Sequence, residues 1–126
     1  MPVDEKESIL NSTKKLLGIF SSVDAFDTEL ILHINSVLSA LVQMGIGPSE
    51  GYAITNADNT WSQFLGDDKR LESVKTYVFM RVRLLFDPQS NSSVIQAYEN
   101  QIKEFEWRNY IVKDTDRINL EKGGNN

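Results

Sequence analysis

Few residues in this chain have side chains suited to catalysis: it contains one histidine, His33, and no cysteine. The lack of cysteine excludes disulfides, thiolate zinc sites and a cysteine nucleophile. His33 lies at the edge of an apolar helical stripe, and its one local partner is Glu29, one turn earlier. A lone helical histidine in that setting is more typical of structure than of a metal ligand or general base. We therefore predict no catalytic residue, no metal site and no cofactor.

Two acidic or amide-rich stretches suggest metal binding but fit structural roles better. The adjacent pair Asp67 and Asp68 directly precedes a strong helical pattern, which favours helix capping over an acid or metal pair. The second stretch contains oxygen-bearing side chains spaced like calcium ligands, at Asn56, Asp58 and Asn59. The glycine and the terminal glutamate of a calcium-binding EF-hand loop are missing, so we interpret it as a turn. An enzyme built on His33 or on the aspartate pair is the least favoured of the hypotheses.

Two arginines lie in the most apolar helical pattern. Arg81 falls inside its apolar arc, where a cation must pair or extend to solvent because an unpaired buried charge is very costly. Its partner is either internal, with Glu104, Glu106 or an acid on another helix, or belongs to a neighbouring subunit. Arg83 lies on a polar strip with Glu72, which predicts a solvated position or the rim of an interface.

Aromatic residues supply the other candidate contacts. Trp107, Tyr110 and Ile111 project from a different side of their helix than its core stripe. They either cover the first helix or the long loop, or form an interface, where aromatic residues and arginine are enriched. We favour the interface and add Tyr52 and Ile54, because long loops in compact domains are often binding segments.

The elements that position these residues are mainly helices. Apolar spacing predicts four of them, near residues 4–17, 27–45, 67–87 and 92–112, with one further helical turn at 60–66. The glycine-rich stretch 45–60 predicts a loop carrying one short strand or hairpin. The fold class is therefore mainly all-α, a small bundle of about four helices. The predicted helix caps are Asp27, Asp67, Asp68 and Ser92.

Length and charge narrow the classes of function. The chain has 126 residues, 13 basic and 18 acidic, for a net charge of −5. A single domain fits this length, and we predict a helical domain at 1–113 and a mobile tail at 114–126. The negative charge argues against binding driven by the DNA backbone. We find no run long and apolar enough for a membrane span and no signal-peptide core near the first residues, so we expect a non-secreted protein without membrane contact.

Six segments carry a family resemblance, and together they extend over residues 26–108. They are DTELILHIN at 27–35, LVQMGIGPSEG at 41–51, TWSQFLGDD at 60–68, LESVKTYV at 71–78, VRLLFDP at 82–88 and EFEWR at 104–108. In this order they resemble the head–tail connector proteins of long-tailed bacteriophages and related prophages.

This resemblance implies a structural virion protein that is made in the host cytoplasm and placed at the head–tail interface. Its subunits would form a ring, typically dodecameric, that docks under the portal protein and extends the DNA channel. A downstream neck or tail-completion protein would attach to the ring, and genomic DNA would pass without sequence-specific contact. No catalytic residue is implied. The alternative is a cytosolic helical adaptor that binds a single protein partner without forming a ring.

Overall fold

The computed structural model describes residues 7–86 and 91–123, with side chains described as far as residue 110. The element order is α1 (Ile9–Leu16), α2 (Asp27–Gln43), α3 (Trp61–Leu65), α4 (Leu71–Phe86) and α5 (Ser92–Gly123). No strand occurs within these ranges, and the small all-α bundle that the spacing predicted is confirmed.

Helix α4 is the centre of the bundle, since it packs against α1, α2 and α5. The ring of Phe26, just before α2, meets the ring of Phe86, the last residue of α4, at a centroid distance of 5.5 Å. At the other end, Arg70 precedes α4 and donates to Oδ1 of Asn109 on α5 at 3.0 Å. Helix α4 is therefore antiparallel to both α2 and α5.

The core forms where the apolar spacing of α2 and α4 places it. Apolar side chains at three- and four-residue intervals lie on one face of a helix, and this face is buried in both elements. Even Met80, on the opposite side of α4, is 5% exposed, as expected for a central helix that is apolar nearly all round. The fully buried residues include Leu30, Ile34, Val37, Leu38 and Leu41 of α2 and Val74, Tyr77, Val78 and Val82 of α4.

The predicted helix caps Asp27, Asp67, Asp68 and Ser92 lie at or near the helix starts, but none of them is the capping residue of its helix. Asp27 is the first residue of α2 and not its cap, because its carboxylate pairs with Lys14 Nζ. Ser92 likewise begins α5, and Asn91 caps it by accepting from the backbone N–H groups of the second and third helical residues. Of the predicted aspartate pair, Asp68 accepts from the N–H of Arg70 at 2.8 Å, in the turn before α4.

The strand or hairpin predicted between residues 45 and 60 is wrong. Residues 51–55 have no regular secondary structure, and the backbone of Ile54 is held by one side chain from α2. Asn35 accepts from the Ile54 N–H at 2.7 Å and donates to the Ile54 carbonyl at 3.0 Å. Because this amide satisfies both backbone groups, no second strand is needed to pair them. The sheet-like pairing in the described ranges is one isolated bridge between Ser8 and Thr60.

The helical turn predicted at Thr60 is confirmed as α3. Thr60 and Gln63 form a reciprocal capping box, and Gly66 ends the helix. Trp61 is buried, and its Nε1 donates to Ser12 Oγ of α1 at 2.9 Å. This hydrogen bond ties α3 to the first helix across 49 positions of sequence.

Helix α5 is longer than its apolar pattern predicted. It continues to Gly123, whereas the spacing ended it near Val112. At 1.5 Å per residue, α5 is about 48 Å long and α4 is about 24 Å long. Since Asn109 already contacts Arg70 at the start of α4, the backbone of α5 after Asn109 extends beyond that end of α4. The mobility predicted for residues 114–126 stays a prediction.

Candidate interaction surfaces

Arg81 belongs to a three-residue network between α4 and α5. Its Nη1 donates to the Tyr77 hydroxyl at 2.9 Å, and that hydroxyl donates to Glu106 Oε2 at 2.7 Å. The Arg81 and Glu106 charges are 3.8 Å apart, and the two side chains are 30% and 33% exposed. The internal ion pair, one of the two alternatives from the sequence, is therefore present. A contact from Arg81 to a neighbouring subunit stays a prediction.

Tyr77 connects the two charges in this network. Burial of its ring, followed by the hydrogen bond to the Glu106 carboxylate, raises the pKa of Tyr77 to about 12. The Arg81 guanidinium opposes this shift by favouring the phenolate. At neutral pH Tyr77 is therefore protonated and can donate to Glu106 while accepting from Arg81. Its ring also stacks on Phe105 at 4.4 Å between centroids.

The remaining interface candidates, Arg83, Tyr52 and Ile54, differ in how far they are exposed. Arg83 is partly exposed, and its place at an interface rim stays a prediction. Tyr52 is also partly exposed, donates to Gln63 Oε1 at 3.0 Å and has a pKa raised by burial. Ile54, in contrast, is 2% exposed, so its proposed role on an exposed surface is wrong. The Asn35 amide that holds its backbone directs this residue into the core of its own subunit.

The aromatic residues of α5 form a surface near the α4 N-terminal end. Trp107 is 66% exposed and Tyr110 is 46% exposed. Neither side chain is buried, so both leave apolar surface available, and their role in an interface stays a prediction. The side chain of Ile111 lies outside the described residues. Trp107 and Tyr110 together are called the α5 aromatic surface below.

Lys14 is a buried cation that the sequence patterns did not single out. It is 1% exposed, and its ammonium donates to the carbonyls of Ser21 and Val23 and to Asp27 Oδ1 at 2.8 Å. An ammonium has three donors, and all three are satisfied here. Lys14 is four residues after Leu10 and so lies on the buried side of α1. The helical-wheel test applied to Arg81 would have identified it.

Lys14 fixes loop 18–26, which exposes apolar side chains at the α4 C-terminal end. Helix α1 ends at Leu16, and Gly18 turns the chain with φ +82°. As a result Leu16 is 53% exposed and Phe20 is 80% exposed. Phe26 is 43% exposed beside them. This end of the bundle therefore presents an apolar surface of its own.

A groove between α4 and α5 lies on a third surface. Its volume is about 460 Å³, and Tyr77, Met80 and Phe105 contribute its apolar lining. Charged and polar groups surround that lining. They are Arg70, Ser73, Thr76, Gln101, Glu104, Arg108 and Asn109.

His33 is partly buried on α2, and among the described residues its Nε2 has no hydrogen-bond partner. Its Nε2 is 3.5 Å from Glu29 Oε1, the local partner that the sequence indicated. Within the part of the chain whose side chains are described, no group of three or more His, Asp or Glu residues could hold a metal ion.

An all-α bundle that exposes aromatic side chains at both ends has the features of a protein-binding structural module. The sequence matches the family model described as "Phage connector protein" over residues 9–116, which is most of its length. The chain therefore belongs to the phage connector protein family. No curated protein and no solved structure has significant similarity to it.

Membership in this family indicates a structural role, contacts with other head or tail proteins of the phage, and a place in the virion. The family is structural rather than catalytic. No helix within the described ranges is long and apolar enough to span a membrane.

Proposed function

We propose that this protein is the subunit of a connector ring that docks under the portal protein, extends the DNA channel and provides the attachment surface for a neck or tail-completion protein. The ring is dodecameric, as the resemblance implies. Family membership supports the connector role. The exposed apolar side chains at both ends of α4 support contacts with a portal protein and with a tail protein.

The exposure of Trp107 is the observation that carries this proposal. A tryptophan that is 66% exposed leaves a large apolar area in water, and burying it in a partner would recover about 25 cal/mol per Å². Tryptophan is also among the residues most enriched at the energetic centres of interfaces. Phe20 and Phe26 provide a second exposed surface at the opposite end of α4. A subunit placed between a portal and a tail protein requires more than one such contact.

The charge of the chain supports a channel that DNA crosses without adhering. Each subunit carries −5, so a ring of many copies carries a large negative charge. Affinity for duplex DNA comes mainly from cations that displace counterions from its phosphates. A strongly acidic ring is therefore suited to letting DNA slide through it.

Co-expression with the portal protein tests the proposal. We expect the chain to co-purify with the portal as a complex holding many copies, counted by native mass spectrometry. Trp107→Ser should weaken this complex about tenfold or more, as for the central residue of an interface. Leu32→Ser on α2, where the side chain is 68% exposed, is the matched control and should have little effect.

One copy of the chain bound per partner molecule would contradict the ring and support the single-partner adaptor. Equal affinities for Trp107→Ser and Leu32→Ser would show that the α5 aromatic surface does not contribute to the contact.

A further inference from the structure

We propose that Phe20 of one subunit inserts into the groove between α4 and α5 of the next copy of this chain. This inference rests on the proposed ring and names the contact between its neighbouring subunits. It joins two surfaces that are separate on one subunit: loop 18–26 and the groove lined by Tyr77, Met80 and Phe105.

Loop 18–26 holds Phe20 outward in a fixed geometry. Lys14 Nζ binds the carbonyls of Ser21 and Val23 from inside the bundle. Two consecutive turns complete the loop, with the N–H of Val23 bound to the carbonyl of Phe20 and the N–H of Asp27 bound to that of Asp24. A side chain presented by an ordered loop loses little conformational entropy on binding, which increases affinity.

The groove has the size and lining to receive this ring. A cavity of about 150 Å³ lined by apolar side chains can hold a benzene molecule. The groove is about 460 Å³, enough for the Phe20 ring and part of its loop. Aromatic rings prefer stacked or edge-to-face neighbours, which the partly exposed Phe105 ring offers, and Met80 can adapt its shape to an incoming ring. Tyr77 is fully buried and already stacks on Phe105, so it forms the floor beneath the groove.

Charge complementarity favours a second copy as the occupant. Loop 18–26 contains one ionisable side chain, the exposed Asp24. Of the two arginines that line the groove, Arg70 is paired with Asp68, so Arg108 is the cation that an incoming carboxylate can reach. Arg108 is 70% exposed, and its bond with Glu104 is a surface ion pair of the kind that contributes little stability. Its guanidinium is therefore available to a carboxylate that arrives with Phe20.

The placement of the two surfaces explains why the contact would form a ring. Phe20 is 80% exposed, so it does not fill the groove of its own subunit. When two different surfaces of identical subunits meet, the contact is head-to-tail and can repeat, giving a ring where the rotation between neighbours closes, whereas a self-complementary patch stops at a dimer.

Disulfide cross-linking tests this contact without disturbing Phe20, because the natural chain has no cysteine. Ser22→Cys places a thiol beside Phe20, and Ser73→Cys places one at the groove; both serines are exposed. After mild oxidation of the portal-bound protein, the double variant should form a ladder of covalent multimers. A mixture of the two single variants should stop at dimers. Ser36→Cys with Ser73→Cys is the matched control, because Ser36 is an exposed serine on α2.

We expect at least about tenfold more cross-linked product than in the control, and about a tenfold reduction when Phe20→Ser is added to the double variant. Many copies bound to the portal without cross-linking above the control would overturn this contact and leave the ring intact. Covalent dimers of Ser22→Cys alone would indicate a self-complementary contact and also overturn it. Single copies on the portal would refute the ring itself.

Discussion

Lys14 and Arg81 are both cations on apolar sides of helices, yet the bundle surrounds them differently. Lys14 is 1% exposed, and each of its three donors has a partner in the same subunit. Arg81 is 30% exposed and reaches Glu106 at 3.8 Å, mainly through the Tyr77 hydroxyl. Lys14 is thus fully enclosed, whereas the Arg81 network faces solvent.

This difference separates a structural charge from one that is available for contacts. Removing the enclosed Lys14 ammonium deletes three charge-assisted hydrogen bonds at once, and although Asp27 is itself 30% exposed, this costs a few kcal/mol. A network that water reaches contributes much less, because solvent screens the charges. The Lys14 cluster is therefore a fixed support for loop 18–26, and the Arg81 network can bind a further partner at low cost.

Replacing Lys14 should have the largest effect on stability. Lys14→Met keeps the length of the side chain but leaves two loop carbonyls and Asp27 without their donor. We expect a loss of about 3 kcal/mol in the free energy of unfolding, measured by urea denaturation. Lys15→Met, at an exposed neighbouring position, should change it by less than about 0.5 kcal/mol. Similar values for both variants would contradict the enclosed role of Lys14.

Replacing Arg81 should have an intermediate effect. Arg81→Ala removes its hydrogen bond to Tyr77 and its attraction to Glu106, and we expect a loss of about 1 kcal/mol in the same urea measurement. Arg108→Ala is the control, since it breaks an exposed pair with Glu104 one turn away and should cost about 0.3 kcal/mol. If the loss in free energy of unfolding for Arg81→Ala came close to that for Lys14→Met, the network would be stronger than its exposure suggests.

The titration of Tyr77 should give the smallest effect. Its pKa in the folded chain, about 12, lies above its ordinary value of 10.0. The stabilisation from the protonated hydroxyl is therefore fully present below pH 10 and decreases as the pH rises toward 12. Because Arg81 and Glu106 are partly solvated, we expect a loss below about 1 kcal/mol between pH 9 and pH 11.

Comparison with Tyr77→Phe isolates this contribution. The variant lacks the titrating hydroxyl but retains Tyr52, whose pKa burial also raises, so the difference between the two urea midpoints reports Tyr77. If the stability of both proteins declined equally over this pH range, Tyr77 would not be the group responsible.

The sequence predicted the helices better than their ends. Periodic apolar residues predicted α2 and α4, and Thr60 predicted the start of α3, because these signals are local. The roles of Asp27 and Ser92 were misassigned because a lysine from another helix and a neighbouring asparagine supply the competing hydrogen bonds. The strand expected near Ile54 failed for a similar reason, since Asn35 lies 19 positions away in the chain.

The candidate surfaces also divide into features that local sequence predicts and features that depend on contacts between distant residues. The position of Trp107 off the core stripe was sufficient to predict its exposure, and Arg81 inside the apolar arc was sufficient to predict its need for a partner. Phe20 follows the helix predicted near residues 4–17, and apolar spacing does not decide whether such a residue is buried. Its exposure depends on how Lys14 and Asp27 hold loop 18–26.

The sequence by itself determined the all-α fold, the scarcity of catalytic groups and the resemblance to phage connectors. These properties depend on residue types and their spacing along one helix at a time. Only the tertiary structure decided that Lys14 is enclosed while Arg81 is partly exposed, and that Phe20 stays exposed. Burial depends on contacts between helices, and residues distant in the chain provide those contacts.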